Sequence, residues 1–139
     1  MSLLTLVGFI GILIIWYGLT AIRKKNLRHL HDISDEEFCQ ILTSKYATIP
    51  TSFIIQERKH IGEIMDIPYQ KISPLHSFLE LQKYCRLTSG VDIDYLYHEI
   101  EDCLDRHEVQ RIQINNIEDY IFYKCRLSDR RAMNLSHYS

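Results

Sequence analysis

The sequence predicts an all-α chain in which one N-terminal transmembrane helix precedes a small helical bundle. Three observations carry this. Residues 3–22 form an uncharged run of twenty. Four later segments repeat apolar residues at helical spacing. No segment shows the strict apolar–polar alternation that a sheet requires. The 139 residues divide into an anchor (1–22), a basic juxtamembrane segment with a linking helix (23–50), a helical domain (51–126) and a flexible polar tail (127–139).

At about 1.5 Å per residue the apolar run covers roughly 30 Å, the thickness of a bilayer's hydrocarbon core. About a hundred further residues could not enclose a helix that is apolar all round, so the run is expected in a membrane. Met1-Ser2 lacks the cation of a signal-peptide n-region, which favours a retained anchor over a cleaved leader. Arg23, Lys24, Lys25 and Arg28 follow the run at once. Cationic flanks stay cytoplasmic, which places Met1 outside an inner membrane and the domain in the cytoplasm. The same cations suit anionic lipid headgroups, and Trp16 and Tyr17 suit the interface beside them.

In the next segment Ser34 and Glu37 form a capping box with Ile33 and Phe38 as a hydrophobic staple, so a helix is expected over 35–46. Pro50 introduces the following helix, TSFIIQERKHIGEIM. Ile54, Ile61, Ile64 and Met65 share its inner face, while Glu57, Arg58, Lys59 and Glu63 read as its solvent side. Asp66-Ile67-Pro68 ends it, because the residue before a proline is pushed out of the α region. Residues 69–92 read as a long loop in which Phe78, Leu79 and Leu81 suggest a short packed turn.

Asp92 is a good N-cap for an acidic helix over 92–105. Ile93, Leu96, Tyr97, Ile100, Cys103 and Leu104 line its inner face. The last helix has Asn115 as its cap and Glu118 in the capping-box position, with Ile117, Tyr120, Ile121 and Cys125 facing inward.

Composition narrows the function. All 18 acidic residues lie at Asp32 or later, so beyond residue 31 twelve cations face eighteen carboxylates and the charge is −6. A domain of that sign is a poor nucleic-acid binder, since phosphate needs clustered cations, and a protein partner with a basic patch suits it better. Cys39, Cys85, Cys103 and Cys125 show no CxxC spacing, so reduced packing thiols are expected and no metal site. His60, His76, His98 and His107 are scattered without HExxH spacing. Glu99 with Asp102, and Glu101 with Asp105, share helix faces and read as solvated surface rather than acid–base pairs. With five glycines, three of them in the apolar run, there is no phosphate loop. No catalytic residue is expected.

The order of features then becomes informative: a helix, IGEIMDIPYQKISPLHSF, a long loop, an acidic helix, and INNIEDYI. Over residues 53–123 this resembles the acyl carrier protein family. The resemblance implies a small helical bundle whose acidic second helix docks basic patches. That assigns Asp92, Asp94, His98, Glu101, Asp102 and Asp105 to a partner-docking face. The family carries phosphopantetheine on the serine of Asp-Ser-Leu at the start of that helix. This sequence reads Ser89-Gly90-Val91-Asp92-Ile93 there, and Asp92 or Ile93 takes the serine's place. The expectation is therefore a module without a prosthetic group. The alternatives are a tethered acyl or peptidyl carrier modified at Ser89, and a small assembly subunit of an envelope complex.

Overall fold

The computed structural model describes residues 3–84, 90–102 and 113–136, with side chains at 5–84, 93–102 and 113–129. Among these residues all regular structure is helical. Cys85, Ser89, Cys103, Leu104, Asp105 and His107, together with the side chain of Asp92, lie outside this description. The chain divides into two units, Met1–His31 and Asp32–Ser139.

The first unit is one helix, α1 (Leu3–Leu27). It is long and apolar enough to cross a membrane over Thr5–Leu27, and none of that stretch is buried within the protein. Leu6, Phe9, Ile12, Ile14 and Trp16 all stand exposed, which a soluble surface does not tolerate as one continuous band. The helix runs five residues past the apolar run, so Arg23, Lys24 and Lys25 sit on its last turns. Arg28 lies just beyond them.

In the second unit α2 (Asp35–Lys45) starts where the capping box predicts, with the Glu37 N–H donating to Ser34 Oγ at 3.1 Å. Its Phe38 and Leu42 are fully buried, which makes α2 part of the domain core and corrects its reading as a linker. At its far end Tyr46 stacks on Phe122 with ring centroids 4.2 Å apart.

Helix α3 (Thr51–Met65) is the centre of the bundle and packs on α2, on α5 (Gly90–Glu101) and on α6 (Ile117–Ser136). Ile54, Ile61 and Met65 are buried, each worth about 1.5–3 kcal/mol of apolar transfer. It stops at Asp66, in the left-handed conformation at φ 52°, and the Ile67 N–H donates back to the Gly62 carbonyl at 2.9 Å. A Cβ at Gly62 would lie 2.9 Å from the Ile67 carbonyl oxygen and 3.0 Å from Tyr69 Cβ, so this close approach requires glycine.

The sequence places Glu57 and Arg58 on the solvent side of α3, and the structure overturns that. Arg58 is 0% exposed. Its guanidinium donates to Asp35 Oδ1 at 2.7 Å and to the carbonyls of Ile33 (2.8 Å), Gln70 (3.1 Å) and Ile72 (3.1 Å). It also lies 4.3 Å from the Phe38 ring centroid. Burial lowers its pKa below the usual arginine value, and the Asp35 hydrogen bond opposes that shift. A fork of donors can be buried because every direction finds an acceptor.

The expected loop carries a 3-10 turn (Tyr69–Lys71) and α4 (Phe78–Gln82), capped by Ser77. The Ile117 and Glu118 N–H groups donate to the carbonyls of His76 and Pro74, both at 3.0 Å, so this loop closes the start of the last helix. Helix α5 (Gly90–Glu101) begins two residues before Asp92, which therefore lies in the first turn and not at the cap. Helix α6 (Ile117–Ser136) starts one residue later than the sequence suggests. The Asn116 side chain accepts from the Asp119 N–H, while the Asp119 carboxylate accepts from the Asn115 N–H, both at 3.0 Å. Glu118, expected in a capping box, is instead buried and paired with Lys45. The helix also continues to Ser136 where a flexible tail is predicted. Leu127 is buried against the domain, and no glycine or proline follows Gly90 to interrupt the helix.

Candidate functional site

Two arrangements on α3, α5 and α6 hold the chain's chemistry. The first is the outer face of α5. Asp94, His98, Glu101 and Asp102 are exposed there, as the sequence predicts. The inner stripe of Ile93, Leu96 and Ile100 is buried, which orients the polar residues outward. His98 Nδ1 lies 3.1 Å from Glu101 Oε2, one helical turn on. Among these carboxylates stands Tyr95, 55% exposed, which the sequence reading did not single out.

The second arrangement is a polar seam that the sequence reading missed. Glu99, read as solvated surface, turns inward instead. Its Oε2 accepts from Lys124 Nζ at 2.6 Å and from the Tyr120 hydroxyl at 3.0 Å. His60 Nε2 lies 3.1 Å from Glu99 Oε1, and because an ionised carboxylate only accepts, this nitrogen carries the proton. Lys124 Nζ also lies 2.7 Å from the buried Glu57 Oε2, a close ion pair. One ammonium thus bridges carboxylates from α3 and α5.

The electrostatics hold Glu99 and Lys124 charged and Tyr120 neutral. Burial alone would raise the Glu99 carboxyl, but the hydrogen bonds from Lys124 and Tyr120 hold it below its usual value. Burial alone would lower Lys124, but Glu57 and Glu99 hold its ammonium above the usual lysine range. Burial, then the Glu99 charge, pushes the Tyr120 phenol far above its ordinary value, so it stays a donor. Groups displaced in these directions neither give nor take a proton readily near neutrality, whereas general acid–base chemistry needs a pKa near the working pH. The arrangement is suited to holding charge in place.

Open clefts flank this bridge. One, of about 480 Å³, is lined by Gln56, Glu57, Lys59, His60, Glu63, Glu99 and Lys124. The other, of about 410 Å³, is lined by Phe53, Glu57, Glu99, Asp102, Lys124, Leu127 and Ser128. Asp102 belongs to both the exposed face and the second cleft, so the two arrangements meet there.

Among the described residues no set of histidine, cysteine and carboxylate side chains is placed to hold a metal ion. Cys39 and Cys125 are buried free thiols, and burial raises both above the usual thiol value. Compared with protein-family models, with curated proteins and with solved structures, the chain matches none of them.

Proposed function

We propose that the protein is a membrane-anchored, non-enzymatic interaction module that docks a basic protein partner through the outer face of α5. The observation that carries this reading is Tyr95, an exposed aromatic framed by Asp94, His98, Glu101 and Asp102. Tyrosine surrounded by charge is a frequent binding hot spot, and the acidic frame supplies steering and register toward a basic surface. The resemblance to acyl carriers supports the same face. In this reading α1 spans the inner membrane with Met1 outside, and Arg23, Lys24, Lys25 and Arg28 hold the domain on the cytoplasmic side.

A photo-crosslinking amino acid at position 95 of the full-length protein tests the docking. A discrete protein adduct in the membrane fraction is expected, and Asp94→Lys with Glu101→Lys should abolish it. An adduct indifferent to those charge reversals, or none at all, sinks the reading.

One observation favours a second reading, the tethered carrier. Helix α5 begins at Gly90, so Ser89 immediately precedes its first residue, whereas the apolar register alone puts Ser89 a turn away. The carrier resemblance requires a hydroxyl at that point of the chain. Co-expression with a broad-specificity phosphopantetheinyl transferase, followed by intact-mass measurement, separates the two. The docking module stays unmodified. A gain of one phosphopantetheine arm that Ser89→Ala abolishes installs the carrier in its place.

A further inference from the structure

Among the described residues beyond α1, the large hydrophobics that stand exposed are Tyr95, Leu75 and Leu79, the two leucines at 65% and 73%. Single exposed leucines are ordinary, but these two are held outward by their neighbours. Pro74, Phe78 and Leu81 are buried, and Ser77 caps α4 between them. The carbonyls of Pro74 and His76 accept from the Glu118 and Ile117 N–H groups, which fixes the segment to the start of α6. Leu75 and Leu79 thus form a fixed apolar ledge, four residues apart across the start of α4. The ledge borders the acidic face of α5. Phe78, between the two leucines in sequence, meets the Tyr97 ring with centroids 5.5 Å apart. Asp94 and Glu101 are exposed one turn before and after Tyr97, on the same flank of α5. Glu80 is exposed beside Leu79, and α4 ends at Lys83, so carboxylates outnumber cations along this border. Tyr95, two residues from Tyr97, lies on the opposite flank.

We propose that this ledge is the apolar half of the docking face and receives a basic amphipathic helix of the protein partner, an inference that rests on the docking reading and names what is recognised. Such a helix carries aliphatic residues at i and i+4, and these lie on Leu75 and Leu79. Lysine or arginine at the border of its apolar face meets Glu80, Asp94 and Glu101. Charge decides between this occupant and the others that an apolar ledge could take. An anionic bilayer surface is repelled by the same carboxylates. A second copy docking symmetrically sets Asp94 and Glu101 against their own like charges. A basic helix satisfies both halves at once: the leucines leave water, and the carboxylates gain counter-charges.

The test is photo-crosslinking from position 79 of the full-length protein in its native membranes, with the crosslinked peptide mapped by mass spectrometry. The expected adduct lies on a segment of another protein that has apolar residues at helical spacing and lysine or arginine beside them. Asp94→Lys with Glu101→Lys should abolish it. Leu75→Ser with Leu79→Ser should lower the adduct formed from position 95 about tenfold, the ratio expected when roughly one leucine's burial is lost. Both side chains are exposed, so this double variant should unfold at the parent's temperature. A position-79 adduct with lipid, with a second copy, or with a segment that lacks cations overturns the proposal. A position-95 adduct undiminished in the double serine variant, or formed while position 79 gives none, overturns it too and leaves the docking face standing without the ledge. Absence of an adduct from both positions removes the docking reading along with it.

Discussion

Arg58 Nη1 lies 2.7 Å from Asp35 Oδ1, which ties the middle of α3 to the first turn of α2. The same guanidinium holds the carbonyls of Ile33, Gln70 and Ile72, so one side chain fastens three stretches of chain. Arg58→Ala strands those acceptors and should cost about 3–5 kcal/mol in a urea titration. Arg58→Lys keeps the charge but loses the fork, and should still cost about 2 kcal/mol. A lysine variant as stable as the parent would show that charge alone suffices.

Ser34→Ala removes the acceptor for the Glu37 N–H. The expected loss is about 1 kcal/mol, within roughly 0.5–2. An unchanged midpoint in the same titration would mean that α2 does not depend on this cap.

Gly62→Ala places a methyl group 2.9 Å from the Ile67 carbonyl oxygen, part of the turn that ends α3. Backbone must move to admit it, at about 1–3 kcal/mol. Elsewhere in a helix the same change stabilises, so the sign of the measured shift decides the matter.

His76 gives a pH dependence. Its Nδ1 accepts from the Ser73 N–H at 3.0 Å, and burial lowers its pKa below the usual histidine value, with Glu80 partly offsetting this. The unfolded chain therefore binds the proton more readily. The contribution is full above about pH 6.5 and is lost as the pH falls below it. His76→Asn supplies a non-titrating acceptor, so the parent should lose more stability than this variant between pH 7.5 and 5. Parallel stability curves would contradict the assignment.

Topology is tested by reporters fused after Ser139. A green fluorescent protein there should fluoresce and an alkaline phosphatase should be inactive, because the cations follow the span. Strong phosphatase activity would reverse the orientation.

What could be read in the sequence was local. The Ser34 cap, the apolar stripes and the break at Asp66-Ile67-Pro68 each depend on neighbours within a few residues. The charged core residues could not be recognised so easily, although their spacing was visible. Glu57 and Arg58 sit three and four residues after Ile54, and Lys124 sits four after Tyr120, all at the edge of buried stripes. Residue type outweighed spacing because their partners are distant in sequence. His60 meets Glu99 across 39 residues, and Lys124 meets Glu99 across 25. A lone charge on an apolar face looks like an error until the fold supplies its counter-charge. The docking face was legible in Asp94, His98, Glu101 and Asp102, since exposure is the default for such side chains. Tyr95 was not, because an isolated tyrosine gives no sign of which way it turns.

The Arg58 clamp has a kinetic consequence. The groups it gathers lie between residues 33 and 72, so every contact in it is closed by a chain of 12 to 25 residues. Short closures form fast, while the pairings of Glu57 and Glu99 with Lys124 wait for the end of the chain. Synthesis delivers the two in that order. The α2–α3 half can assemble while α6 is still being translated, and it then presents a ready surface on which α5 and α6 close. Slowing translation within the first half should therefore disturb folding less than weakening Arg58 does.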